Sequence, residues 1–397
     1  MDFVETQAAT YSDLSEAYTN LGLLFQRKLW HQLTDALETF VNDPASSRGD
    51  NLLQLYEKFI TAFETRLSQL RLIRIVSKIC QQFYPSRPYV SAELERAIHL
   101  FDMLKEKRGR LGEEAYLVCA TERLSLVVKQ ATVNPDVAAR EASLEAVKTE
   151  LEECRTLLDS FVDVQPVAAA TVYRVSAEYH AVRGPAAEYY RNALQFLAHT
   201  PLEGIPEAEQ QAMAVNIAVS ALVGTKVFNF GEIVEHPVMA SLAGTPHEWL
   251  RAMLRVFHTG NIDGFNSLVA SNRAAYESQP ALAAADETIK EKVAIVCVME
   301  LASQRPATDR SITFSDIAAA TRLPVEKVEW LLMRAMSFGL IKGVIDEADQ
   351  VVHVSFIKPR VMDMSQIATL RERIGTWSES VKETLLYMED NTHDIFT

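Results

Sequence analysis

The chain has 397 residues, 48% of them apolar, with 14 glycines, 14 prolines and a formal net charge of −14. That length exceeds a single compact core and indicates two or more packing units, and the scarcity of glycine and proline favours long regular elements over a loop-rich fold. The acidic balance excludes a surface that attracts nucleic acid or anionic lipid through net charge alone.

At the N-terminus, Asp2 and Glu5 stand where a secretory leader would carry basic residues, and the first ~15 residues are the part most expected to fray. Apolar residues then recur at three- and four-residue steps. The stripes are Phe25, Leu29, Leu33, Ala36, Phe40; Leu52, Leu55, Tyr56, Phe59, Phe63; and Leu94, Ala97, Ile98, Phe101, Leu104. Leu117, Ala120, Leu124, Val127 and then Leu144, Val147, Leu151, Cys154, Leu158 continue the pattern. Each stripe marks one face of an amphipathic helix. Breakers lie at 42–50, 84–88, 108–112, 132–136, 183–185, 200–206 and 243–246. Helices joined by short loops, with no strict repeat consensus, predict degenerate helix pairs stacked antiparallel as an α-solenoid. The longest apolar stretches, Met213–Gly224 and Val293–Met299, fall short of the ~20 residues a membrane span needs. The expectation is a soluble intracellular protein.

The pattern changes after Arg305–Pro306. Ile312-Thr313-Phe314 reads as a short strand, with Ser315 as N-cap of a helix running to about Ala320. Pro324 opens a second helix that turns Val325, Val328, Leu332 and Ala335 inward and stops at Gly339, a C′ residue. Leu340–Ile345, an acidic turn at Asp346–Asp349, and Val351–Phe356 read as a β-hairpin. Strand, helix, helix, hairpin is the order of a winged helix. Finally, residues 363–390 read as one long helix with a near-heptad seam of Ile367, Leu370, Ile374, Trp377, Val381, Leu385 and Met388. That seam needs a cover, either the body of this chain or other chains. The whole is mainly α: helical repeats over 1–200, a helical part of the next module over 201–305, a winged helix over 306–362 and a C-terminal helix with its tail over 363–397.

The motifs of catalysis are missing. There is no P-loop, no G-x-G-x-x-G after a strand, no G-x-S-x-G and no H-E-x-x-H. Cys80, Cys119, Cys154 and Cys297 match no CxxC or zinc-ribbon spacing, and the first three fall at apolar helical positions, as buried free thiols of a reducing compartment would. His236 and His247 neighbour prolines in turns, where solvated or capping roles suffice. Glu300 follows an apolar run and reads as a helix-face boundary. No catalytic, cofactor-binding or metal-binding residue is assigned, and the chain is expected not to be an enzyme. A site assembled from residues distant in sequence remains the rival enzymatic reading. The winged helix raises duplex binding as another rival. However, residues 308–362 hold seven basic and seven acidic residues, and the wing tip is acidic, so counterion release offers little drive. A neutral winged helix is better suited to protein contacts, for instance through its sheet edge.

Helical repeats, a neutral winged helix and a terminal helix form the plan of PCI proteins. Lys28–Leu37 (KLWHQLTDAL), Leu55–Ile60 (LYEKFI), Val227–Val238 (VFNFGEIVEHPV), Gly339–Val354 (GLIKGVIDEADQVVHV), Lys358–Val361 (KPRV) and His393–Thr397 (HDIFT) resemble the proteasome lid subunit 13 family. The resemblance implies a non-catalytic scaffold in a hetero-oligomer, with winged helices side by side and terminal helices gathered in a bundle. It implies other PCI lid subunits as partners, with a metalloprotease deubiquitinase module and a ubiquitin receptor nearby, and no nucleic acid, membrane or cofactor. Residence in cytoplasm and nucleus is expected. On this reading Ile312, Phe314, Val351, Val354 and Phe356 belong to the sheet that meets a neighbour, and Ile367, Leu370, Ile374, Trp377, Val381, Leu385 and Met388 enter the bundle. Phe228 and Phe230 are expected to pack between the solenoid and the PCI domain, with Gly231 allowing a tight turn. A PCI subunit of the COP9 signalosome or of a translation initiation factor complex is the alternative.

Overall fold

The computed structural model describes residues 7, 14–43, 46, 51–81, 91–305, 310–362 and 364–391. The expected turn at 84–88, the boundary proline at 306 and the closing HDIFT lie outside these residues, as do most of the expected N-terminal fray and of the 42–50 turn. The chain divides into two units, Met1–Gly204 and Ile205–Thr397.

The first unit is built of helix pairs around two contiguous cores. One gathers Tyr18, Leu33, Leu55, Ile73 and Phe101, the other Leu124, Leu144, Leu151, Val172 and Val175. The Glu113–Val133 helix serves both, sending Val118 and Cys119 to the first and Leu117 and Leu124 to the second. Two-sided burial explains why its apolar residues spread beyond one stripe. Val137–Ser160 packs on it after a short connector, and Pro166–Val182 packs on it and on Ala186–His199. Asp136 starts the Val137–Ser160 helix by accepting the Ala138 N–H at 3.0 Å, and Pro166 occupies the first turn of the next, where its missing N–H costs nothing. Polar ties cross between helices: Tyr18 donates to Asn51 at 2.6 Å, and Arg174 pairs with Glu122 at 2.5 Å.

Two of the expected stripes are not single helices. The first breaks at Lys28 (φ +56), between helices Ser15–Gln26 and Trp30–Asn42. The break lets Phe25 and Trp30 converge with Phe59 and Phe63, at ring separations of 5.0 to 6.0 Å. In the second, the helix ends at Lys58 and is followed by 3₁₀ turns Ile60–Ala62 and Glu64–Arg66 that keep Phe59, Ile60 and Phe63 buried. Aromatic packing overrides the helical step in both places.

In the second unit, helices Glu207–Val223, Glu248–Thr259 and Asp286–Gln304 pack together. The last is buried on every side from Lys292 to Met299. The winged helix follows: β1 (Ser311–Thr313), helix Phe314–Thr321, a 3₁₀ turn Val325–Lys327, helix Val328–Ser337, β2 (Ile341–Asp346) and β3 (Val351–Ile357). The sheet order is β1-β3-β2, antiparallel throughout, with Ile312 opposite Val352 and Val344 opposite His353. Three local expectations change. Phe314 opens the first helix rather than closing the strand. Thr313, not Ser315, is the N-cap, its hydroxyl accepting the Asp316 N–H at 3.2 Å. Val325 stays exposed because Pro324 leads into the 3₁₀ turn, while Val328, Leu331, Leu332 and Ala335 fill the core. Gly339 (φ +67) does stop the second helix, and the N–H groups of Gly339 and Leu340 return to the carbonyls of Met336 and Ala335. The terminal helix Met364–Asn391 closes the described chain.

Candidate functional site

The sheet presents fewer free side chains than the sequence suggests. Ile312, Phe314 and Val354 are buried in the winged helix's own core, so their side chains are unavailable to a neighbour, a correction to the expected sheet contact. For Ile312 and Val354 strand alternation explains it, since both share the inward face with Val352, while Phe314 is buried as the first residue of the Phe314–Thr321 helix. Val351 is half-buried. Phe356 is exposed, with the Lys342 ammonium 5.4 Å above its ring, and Val344 on β2 is exposed as well. β3 is central, which leaves β1 and the longer β2 as the edges. The helix Val328–Ser337, which in a DNA-reading winged helix would enter the major groove, exposes Trp330 and Met333 beside Glu326. Arg334 on that helix is engaged by Glu291 at 2.9 Å. This face suits a protein rather than a phosphate backbone.

The terminal helix carries a long run of exposed apolar side chains. Its 28 residues span about 42 Å. Ile367, Leu370, Ile374, Trp377, Val381, Leu385 and Met388 are all exposed, Trp377 by 69%, together with Leu386 and Tyr387. Among the described residues, the seam from Ile374 to Leu385 therefore stays open. Large apolar side chains aligned along one helix mark an interaction surface.

The linker between winged helix and terminal helix is clamped. Arg360 pairs with Glu300 at 2.5 Å and donates to the His258 carbonyl at 3.1 Å. The Val361 N–H donates to Asn229 Oδ1 at 3.1 Å. A Cβ at Gly231 would lie 2.6 Å from the Val361 carbonyl oxygen, so only glycine lets the linker approach this closely. Gly231 thus serves close approach rather than a tight turn. Glu300 is the anchor of Arg360 rather than a mere helix-face boundary.

Close to this clamp, against Phe230, lies Lys292. It is 2% exposed, and its ammonium donates to the carbonyls of Ala221 (2.7 Å), Leu222 (2.9 Å) and Gly224 (2.8 Å). The carbonyls of Ala221 and Leu222 are end-of-helix acceptors at the C-terminal, negative end of the Glu207–Val223 helix, and that of its C-cap Gly224 also accepts the Val227 N–H at 3.2 Å. Phe228 and Phe230 place their rings 5.7 and 5.2 Å from the charge. Phe230 also meets Phe257, and Phe228 meets Phe338. Both rings therefore pack among elements of the second unit, not between solenoid and PCI domain as expected. The signal that marks Lys292 in the sequence is its place at the head of the apolar run Val293–Met299, three residues after Ile289 and four before Val296 on one helix face.

His236 caps its turn, Nδ1 accepting the Val238 N–H at 3.2 Å, and burial lowers its pKa. All four cysteines are buried free thiols. Among the described residues, no group of three or more His, Cys, Asp or Glu is placed to hold a metal ion, and no helix is long and apolar enough to cross a membrane.

Residues 17–254 match the family of PSD13 N-terminal repeats, and residues 269–356 match the PCI domain. The chain is 36% identical to the 26S proteasome non-ATPase regulatory subunit 13 homolog B of Arabidopsis thaliana, covering 100% of this chain and 98% of that protein. It is 31% identical to the 26S proteasome non-ATPase regulatory subunit 13 of Dictyostelium discoideum over the same shares. Its likeness to the eukaryotic translation initiation factor 3 subunit M of Aspergillus terreus is 26%, covering 49% of this chain and 41% of that protein.

Proposed function

Because this chain belongs to the 26S proteasome non-ATPase regulatory subunit 13 family, we propose that it works as a non-catalytic scaffold of the proteasome's regulatory-particle lid, in ubiquitin-dependent protein degradation. It is a subunit of that lid and assembles with other lid subunits. The observation that supports the scaffold reading is the terminal helix, whose apolar seam from Ile374 to Leu385 is exposed among the described residues. Ile367 through Met388 enter a helical bundle with other subunits, and the β2 edge with Phe356 meets a neighbouring winged helix. The lid's metalloprotease deubiquitinase module and a ubiquitin receptor lie nearby. The chain works in cytoplasm and nucleus. The initiation-factor alternative rests on a likeness over half the chain and is the weaker reading.

The test is affinity purification of the tagged full-length chain from its own cells, with mass spectrometry of the co-purifying proteins. Recovery of lid and ATPase-base subunits in near-stoichiometric amounts is the expected result. Recovery of signalosome or initiation-factor subunits instead would keep the scaffold physics and overturn the assignment to the proteasome.

A further inference from the structure

The linker and the first turns of the terminal helix border a cavity of about 520 Å³, closed on another side by the end of the Asp286–Gln304 helix. Its charge is opposite to that of the chain as a whole. Arg310, Lys358, Arg360 and Arg373 line it, against the single carboxylate of Glu300. Glu300 is already taken by Arg360 at 2.5 Å. Arg310, Lys358 and Arg373 have no salt-bridge partner among the described residues, and the Arg310 Nε is buried with no hydrogen-bond partner. Three uncompensated cations around one cavity, one with a desolvated donor, form a site that an anion completes.

We propose that this cavity receives a carboxylate-bearing segment of a neighbouring polypeptide. Two features select a polypeptide over a free phosphate. Apolar Ile357, Met362 and Leu370 stand between the cations, so the occupant combines acidic and apolar groups. Leu370 also belongs to the exposed seam, so a partner helix lying along that seam passes the mouth of the cavity. The cavity thereby fixes the register of the seam: a carboxylate held by Arg310 and Arg373 sets where the partner helix begins. A second copy of this chain is a poorer occupant, because its net charge of −14 makes self-association repulsive. The inference deepens the lid reading and rests on it.

The experiment reconstitutes the lid from its other subunits with wild-type chain competing against Lys358→Glu/Arg373→Glu. Both positions are exposed, so the fold survives, and matching thermal melts confirm it. The charge-reversed chain is expected to lose at least tenfold in incorporation at 0.15 M salt, and Lys358→Gln/Arg373→Gln several-fold. A photo-crosslinking amino acid at Met362 in the assembled lid is expected to capture a peptide containing Asp or Glu. Equal incorporation of the charge-reversed chain, or capture of a peptide without acidic residues, overturns the proposal. Should wild-type chain itself stay out of the lid, the lid reading fails. The cavity is then judged on the isolated full-length chain with a fluorescent peptide alternating glutamate and leucine. Salt-sensitive binding lost in the charge-reversed chain supports the cavity. No peptide binding, or displacement of the peptide by an equal concentration of inorganic phosphate, overturns it.

Discussion

Lys292 joins a helix end to the middle of another helix, and its acceptors lie 68 to 71 residues away in sequence. Replacing it with methionine takes the ammonium away from the carbonyls of Ala221, Leu222 and Gly224 and is expected to cost roughly 2–4 kcal/mol, read as a lower urea midpoint. Burial pulls its pKa from 10.5 down to about 7. Between those values the unfolded chain binds the extra proton, so the Lys292 contribution grows as pH rises through that window. The stability gap between wild type and Lys292→Met is therefore expected to widen in favour of wild type from pH 7 to 9. The cysteines act in the opposite sense. Burial pushes Cys154 and Cys297 up to about 11 and Cys119 up to about 12, so their contribution is intact below pH 9 and is lost as pH climbs through the folded values. Iodoacetamide at pH 8 is expected to label none of the four thiols in the native protein over a period that labels all four in urea. Labelling of any one at the denatured rate would contradict their burial. Cys80, Cys119 and Cys154 were legible in the sequence because type and helical spacing agree. Lys292 was not, because its position says interior while its type says surface, and the carbonyls that reconcile the two are distant in the chain.

Among the elements, those with local causes were the legible ones. Gly339 acts through the adjacent turn, the breaker at 132–136 separates two helices, and strand, helix, helix and hairpin emerge in the expected order. Elements shaped by distant contacts were misread: Phe25 and Trp30 share no helix because Phe59 and Phe63 draw them together. The inward turn of Ile312 and Val354 also follows from pairing register, which the chain order alone leaves open. The linker clamp is a third such case, since Asn229–Gly231 and Arg360–Val361 meet only in the fold. Gly231→Ala places a methyl group against the Val361 carbonyl and is expected to cost about 1–3 kcal/mol. Thermal melts of the full chain check this, and a variant as stable as wild type would show that the linker yields freely.

At the scale of the molecule, the seam on the terminal helix was fully legible, because seven apolar residues at near-heptad steps survive whatever the rest of the fold does. What covers it was not, since a stripe has the same spacing whether it faces its own domain or another chain. Among the described residues the seam stays exposed, which is the state that the proposed role in assembly requires. Ile374 and Trp377 are 55% and 69% exposed, so Ile374→Asp/Trp377→Asp leaves the isolated chain's melting unchanged within about 0.5 kcal/mol. In a bundle the same changes forfeit two buried anchors, roughly 1.5–3 kcal/mol each, and bury two charges, which together weaken association by at least about a thousandfold. The most direct measurement is the fraction of tagged chain that co-sediments with the regulatory particle, wild type against Ile374→Asp/Trp377→Asp. The account predicts that wild type sediments with the particle while the equally stable variant stays at the top of the gradient. A variant that sediments with the particle as wild type does would contradict it.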